Sequence, residues 1–160
     1  MVRYGLMEAK DFSVIELAEL KWPTTLNLPT KRFRLFVAAD FTGLSANALA
    51  DFGRSALRSG MVYFCAWGHD CERFHDIIDE VIANDYAAER RFAGSTAKDT
   101  VMTTWHDNET LEEALDYFIT LARPTEGLVP NSSYRVALCV GNPAWAGKAK
   151  QSLDSADFLA

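Results

Sequence analysis

The 160-residue sequence has few cysteines, few prolines and no long apolar run. Three cysteines make no disulfide framework, and the odd number fits a reducing compartment. Five prolines and nine glycines exclude a collagenous or low-complexity chain. Nothing approaches the roughly 18 consecutive apolar residues of a membrane span. Positive charge is not in excess either: 16 Lys and Arg stand against 22 Asp and Glu, a net charge of −6. A general nucleic-acid binder needs a basic surface to displace phosphate counterions, so that class is excluded. The N-terminal segment MVRYGLMEAKDFSVIELAEL carries acids where a signal peptide needs an apolar core. The expectation is a cytoplasmic, soluble protein with no membrane and no nucleic-acid partner.

What the chain does have is a repeating order of elements. Its residues are 49% hydrophobic, and a domain near this length buries about 70% of its unfolded surface in one core. Four apolar runs rich in β-branched and aromatic side chains read as strands: Phe33 to Ala39, Met61 to Trp67, Thr100 to Trp105 and Tyr134 to Val140. Their weak polar alternation suits strands buried on both faces. Between them, Ser45 to Ser59, Cys71 to Ala83 and Leu111 to Ala122 place apolar residues at helical spacing. Ser45 and Asp70 are candidate N-caps, Gly60 a left-handed stop, and Thr110 with Glu113 a capping box. The reading is a single α/β domain over 1–160. Its β-α-β-α-β-α-β core occupies 32–142, an N-terminal extension 1–31 and a loosely packed tail 143–160. Within the extension, Phe12 to Leu20 fits a helical turn or an edge strand equally well. Asp85 to Asp99 reads as a frayed helical extension followed by a loop. Alternation of this kind requires crossovers, giving a three-layer α/β/α sandwich with a mainly parallel sheet of four or five strands.

In open parallel sheets, ligands bind outside the carboxyl ends of the strands, so the residues after each run are the informative ones. They are Asp40 and Thr42 after the first run, and His69, Asp70 and Cys71 after the second. His106 and Asp107 follow the third, and Asn142 the fourth, with Trp67 and Trp105 closing their strands. This set, Cys71 apart, is the expected ligand-binding edge. Asp40, His69 and His106 carry ligand types for zinc, manganese or iron and are the candidate metal set, although their spacing is no metal signature. His69, His106 and Cys71 are the catalytic candidates. Cys71 and His75 are spaced i, i+4, and a thiol at a helix N-terminus has a lowered pKa. Thr42-Gly43-Leu44-Ser45 opens a helix after a strand, but one glycine and no lysine exclude both the P-loop and the G-x-G-x-x-G pattern.

The β-α alternation resembles flavodoxin-like or Rossmann-like folds, response-regulator receivers among them. A receiver needs an acidic pair after its first strand, a phosphorylatable Asp after the third and a Lys after the last, and those positions are filled otherwise. The segments Trp67 to Asp70 (WGHD) and Thr103 to Asp107 (TTWHD) resemble small bacterial α/β families with no assigned function, over Arg32 to Asn142. That resemblance implies a fold and no activity. The leading expectation is a module binding a small-molecule ligand or protein partner at the carboxyl edge of its sheet. One alternative is a small hydrolase or transferase using Asp40, His69 and His106, with or without a divalent metal. The other is a structural protein forming a homodimer. The sequence leaves the cofactor open.

Overall fold

Phe33–Ala38 (β3) and Arg135–Val140 (β6) carry apolar side chains on both faces, which suits only the middle of a covered sheet. The computed structural model describes residues 5–8, 11–24, 26–93, 101–123 and 134–159, and places these strands side by side. The remaining strands are Gly5–Glu8 (β1), Phe12–Leu17 (β2), Met61–Trp67 (β4) and Met102–His106 (β5). Their order is β1-β2-β6-β3-β4-β5. The five strands from β2 to β5 run parallel, and β1 pairs antiparallel with β2 at one edge.

Four helices connect or follow these strands: Ala46–Ser59 (α1), Cys71–Ala93 (α2), Leu111–Thr120 (α3) and Pro143–Leu159 (α4). Two separate cores show which face each one covers. Leu49, Phe52 and Ala56 of α1 join Phe74, Ile78 and Ile82 of α2 against Leu35, Val37, Phe64 and Leu138. On the opposite face, Leu115 and Phe118 of α3 and Ala146, Ala149 and Leu153 of α4 pack on Phe36, Ala38, Cys65 and Ala137. Helix, sheet and helix thus form the three expected layers.

The local signals in α1 and α3 are used as the chemistry predicts. Ser45 Oγ accepts from the Ala48 amide, and the Gly60 amide closes α1 onto the Ala56 and Leu57 carbonyls at φ 112°. Thr110 Oγ1 accepts from the Glu113 amide at the start of α3.

Several expectations need correction. Phe12–Leu17 is neither a helical turn nor an edge strand: it lies between β1 and β6, with Phe12 and Val14 in one core and Ile15 and Leu17 in the other. The third run is shifted, with β5 at Met102–His106, so His106 is the last strand residue rather than the first of the turn. Helix α2 runs past Ala83 without a break to Ala93, so the expected helical extension from Asp85 is part of α2 itself. The tail is a 17-residue helix, α4, because Ala146, Ala149 and Leu153 form one buried stripe. Residues 94–99, the last part of the expected extension and loop, and Thr100 of the third run lie outside the described residues. Among the described residues, no helix is long and apolar enough to cross a membrane.

Candidate functional site

Because β3, β4, β5 and β6 run parallel, every turn that follows them emerges at the same edge. From β3 the chain passes through α1 and α2 on one face to β4 and β5. It then returns by α3 on the other face to β6, on the far side of β3. The order therefore reverses between β3 and β6, and a crevice is expected there. A cleft of about 400 Å³ opens at this edge, between the starts of α3 and α4.

Ala39 and Gly68 lie at its base, where the β3 and β4 exits are bonded together. The Ala39 amide donates to the Trp67 carbonyl at 3.1 Å, and the Phe41 amide to the His69 carbonyl at 2.9 Å. Gly68 sits at φ 122°, and a Cβ there would fall 1.8 Å from the Ala39 carbonyl oxygen. Only glycine fits this crossing. Asp70 (φ 66°) and Asn108 (φ 56°) are the non-glycine residues of the described chain with positive φ. Both line the cleft. Asp and Asn tolerate this conformation best, so the strain is small.

The walls are aromatic. Trp67 and Trp145 meet edge to face at 5.2 Å, and the Trp67 indole N–H donates to the Glu109 carbonyl at 2.9 Å. That bond fixes the ring by tying β4 to the turn before α3. His106 lies deeper, 5% exposed, with its ring 4.7 Å from that of Tyr117. Its Nδ1 faces the Glu109 carboxylate at 3.1 Å and its Nε2 the Thr104 hydroxyl at 2.9 Å. An ionised carboxylate only accepts, so Nδ1 carries the proton. Both ring nitrogens are thereby engaged.

On the rim, Arg73 of α2 ties the loops together. Its Nε donates to Asp70 Oδ2 at 2.7 Å, and its Nη2 to the Phe41 and Leu44 carbonyls at 3.0 and 2.7 Å. His69 is exposed beside it. Asp40 is exposed one loop away, and hydrogen bonds from Thr42 hold its carboxyl below the usual range, with His69 adding a smaller push.

The cleft brings together Trp67, His69, Asp70, His106 and Asp107 from the expected set, and omits four others. Asp40 and Thr42 are bonded to each other in the β3–α1 loop, with the Thr42 amide 2.9 Å from Asp40 Oδ1. Trp105 points to the other face, where its ring lies 4.5 Å from that of His75. Asn142 caps α4, its Oδ1 accepting from the Ala144 amide at 3.0 Å. Among the described residues no group of three His, Cys, Asp or Glu could hold a metal ion. Asp40, His69 and His106 do not form such a group.

Cys71 departs from the expected thiolate. It is 1% exposed, and burial raises its pKa rather than lowering it. The His75 it would use as base is turned towards Asp76 through Nδ1 at 3.1 Å and Thr103 through Nε2 at 2.9 Å. The Asp70 carboxylate likewise serves Arg73 rather than capping α2 with its side chain.

Sequence reasoning missed Asn108, Glu109 and Trp145 as cleft residues. The first two stand in the turn after the third run, His106 to Glu109, whose expected ligand-binding residues stop at Asp107. Trp145 was legible through Asn142-Pro143, since Asn at the cap and Pro at the first helical position announce a helix.

Comparison with known proteins adds a family. A family model described as a domain of unknown function (DUF7684) matches residues 14–155. The match covers most of the chain, which belongs to that family. No curated protein and no solved structure matches it.

Proposed function

We propose that this member of the DUF7684 family is a binding module whose small-molecule ligand sits in the cleft at the carboxyl edge of the sheet. The observation that carries the reading is the cleft itself: about 400 Å³, walled by Trp67 and Trp145 and fringed by the polar side chains of the turns after β4 and β5. Small-ligand pockets share that size range and the combination of aromatic walls with convergent polar groups. Its place at the carboxyl ends of the parallel strands supports the same conclusion.

The test is a small-molecule library screened by NMR against the full chain, with indole and backbone signals assigned. Hits are expected to move the indole signals of Trp67 and Trp145 and the amides of Gly68 to Asp70. Hits that move only residues elsewhere, or no hits at all, refute the reading.

Self-association is the second reading, supported by β5, which ends the sheet with Met102 43% and Trp105 40% exposed. An exposed edge strand offers unpaired backbone groups to a second copy. Sedimentation velocity decides: a monomer across the micromolar range removes this reading and leaves the cleft reading standing.

A further inference from the structure

We infer that the cleft selects a small organic cation, with an ammonium or guanidinium head on an apolar body. This rests on the reading of the cleft as a ligand site and adds the sign of the ligand's charge.

Two features of the edge oppose each other. All four helices begin there, and each N-terminus contributes about half a positive charge, roughly +2 together. Taken alone, that would favour an anion. The side chains reverse it. The turns after β3, β4 and β5 and the first turns of α2 and α3 hold Asp40, Asp70, Glu72, Asp107, Glu109, Glu112 and Glu113. The cations facing them are Arg73 and, one turn along α4, Lys148. Even with His69 and His106 both counted as charged, carboxylates outnumber cations seven to four. About +2 of helix dipole does not change the sign.

The cations at this edge are also committed. Arg73 is spent on Asp70 and on two loop carbonyls. Lys148 is 2.8 Å from Glu112, across the α3–α4 gap. No Lys or Arg lines the cleft, so its side-chain donors to a phosphate or carboxylate are limited to the imidazoles and Asn108. Asp107 is exposed on the lining and makes no hydrogen bond or ion pair among the described residues. The walls point to the same ligand class. Tryptophan offers a large apolar face for the body of such a ligand. An apolar body against Trp145 with its charged head towards Asp107 uses both features at once.

Titration calorimetry on the full chain with benzylamine, butylguanidinium, benzyl alcohol, benzoate and inorganic phosphate tests this. Benzylamine and butylguanidinium are expected to bind at least about tenfold more tightly than benzoate, which matches benzylamine in shape and opposes it in charge. That preference should shrink as salt rises from about 50 to about 500 mM, since exposed charges are screened over shorter distances. Asp107→Asn should weaken benzylamine about five- to tenfold and leave benzyl alcohol unchanged. Asp51→Asn, exposed on α1 and paired with Arg54, should change neither. Trp145→Leu should weaken all the aromatic probes; if that variant fails to fold, Asp107→Asn decides alone. Benzoate or phosphate binding as tightly as benzylamine would overturn the cation inference and leave the cleft as a ligand site. Cations binding equally well to wild type and Asp107→Asn would also overturn it. Failure of every probe, with no library hit at the indoles of Trp67 and Trp145, would sink both.

Discussion

Replacing Gly68 by Ala tests whether the base of the cleft is built as described. At φ 122° this residue lies where side chains are strained, at a cost of about 1–3 kcal/mol. The added Cβ would also stand 1.8 Å from the Ala39 carbonyl oxygen and 2.9 Å from its carbon. Those atoms are backbone, so relief requires the β3 and β4 exits to separate. Separation strains the Ala39–Trp67 and Phe41–His69 bonds on either side. Overpacking of this kind adds about 1–3 kcal/mol, for a total of roughly 2–6 kcal/mol. For a domain of this size each kcal/mol lowers the melting midpoint by about 2–4 °C, so a loss on the order of 10 °C is expected. Gly43→Ala is the matched control: its φ is 83°, and nothing lies within 4 Å of the new Cβ. That change carries only the left-handed penalty, about 1–2 kcal/mol. Urea denaturation of both variants measures the difference, with equal m-values required so that midpoints can be compared. If Gly68→Ala unfolds at the same midpoint as Gly43→Ala, the crossing is not tight and the account of the cleft base is wrong.

Two further predictions concern the core. Phe74 is fully buried with its ring 4.6, 5.6 and 5.1 Å from those of Phe41, Phe52 and Phe64. Phe74→Ala should cost about 3–5 kcal/mol in urea denaturation, and a loss under about 1 kcal/mol would mean this ring cluster is not the core of that face. All three thiols are buried, so none should react with a disulfide reagent at about pH 8 until denaturant is added. Burial pushes Cys65 and Cys139 from 9.0 up to about 12. The unfolded chain therefore releases these protons first, and their effect is a stability intact below about pH 9 that falls as pH rises towards about 12. A Cys65→Ala/Cys139→Ala variant should lose less stability than the parent between about pH 8 and pH 11 by urea denaturation; parallel curves would refute the assignment.

Features decided over a few residues were legible in the sequence. Ser45, Gly60 and Thr110 cap their helices through bonds to residues within four positions, so local chemistry located them. Phe12–Leu17 was not legible, because its place inside the sheet depends on pairing with Arg135–Val140, more than a hundred residues away. Its short two-faced apolar pattern fits an interior strand only once that partner is known. The candidate edge was legible because parallel strands deliver every turn to one side. Which residues enter the cleft depended on parity: Trp105 and His106 are neighbours on one strand, and neighbours point to opposite faces. With Thr104 and His106 on the α3 face, Trp105 is committed to α2 and His75. The cleft could therefore hold one of the two, and the second tryptophan had to come from elsewhere, as Trp145 does.

The acidic residues at this edge divide by what the fold already explains. Parallel strands oblige α1 to α4 to begin on the same side, and a carboxylate in a helix's first turn stabilises it by about 0.3–1 kcal/mol. Glu72, Glu112 and Glu113 stand in such turns and need no ligand. Asp40 receives Thr42, Asp70 receives Arg73, and Glu109 receives His106. Asp107 alone among these carboxylates has neither a first-turn position nor a hydrogen-bond partner among the described residues, yet it lines the cleft. An exposed residue of that kind contributes within about ±0.5 kcal/mol to stability. Asp107→Asn should therefore leave the unfolding midpoint in place, so that any change it makes in cation binding reports on the cleft and not on the fold.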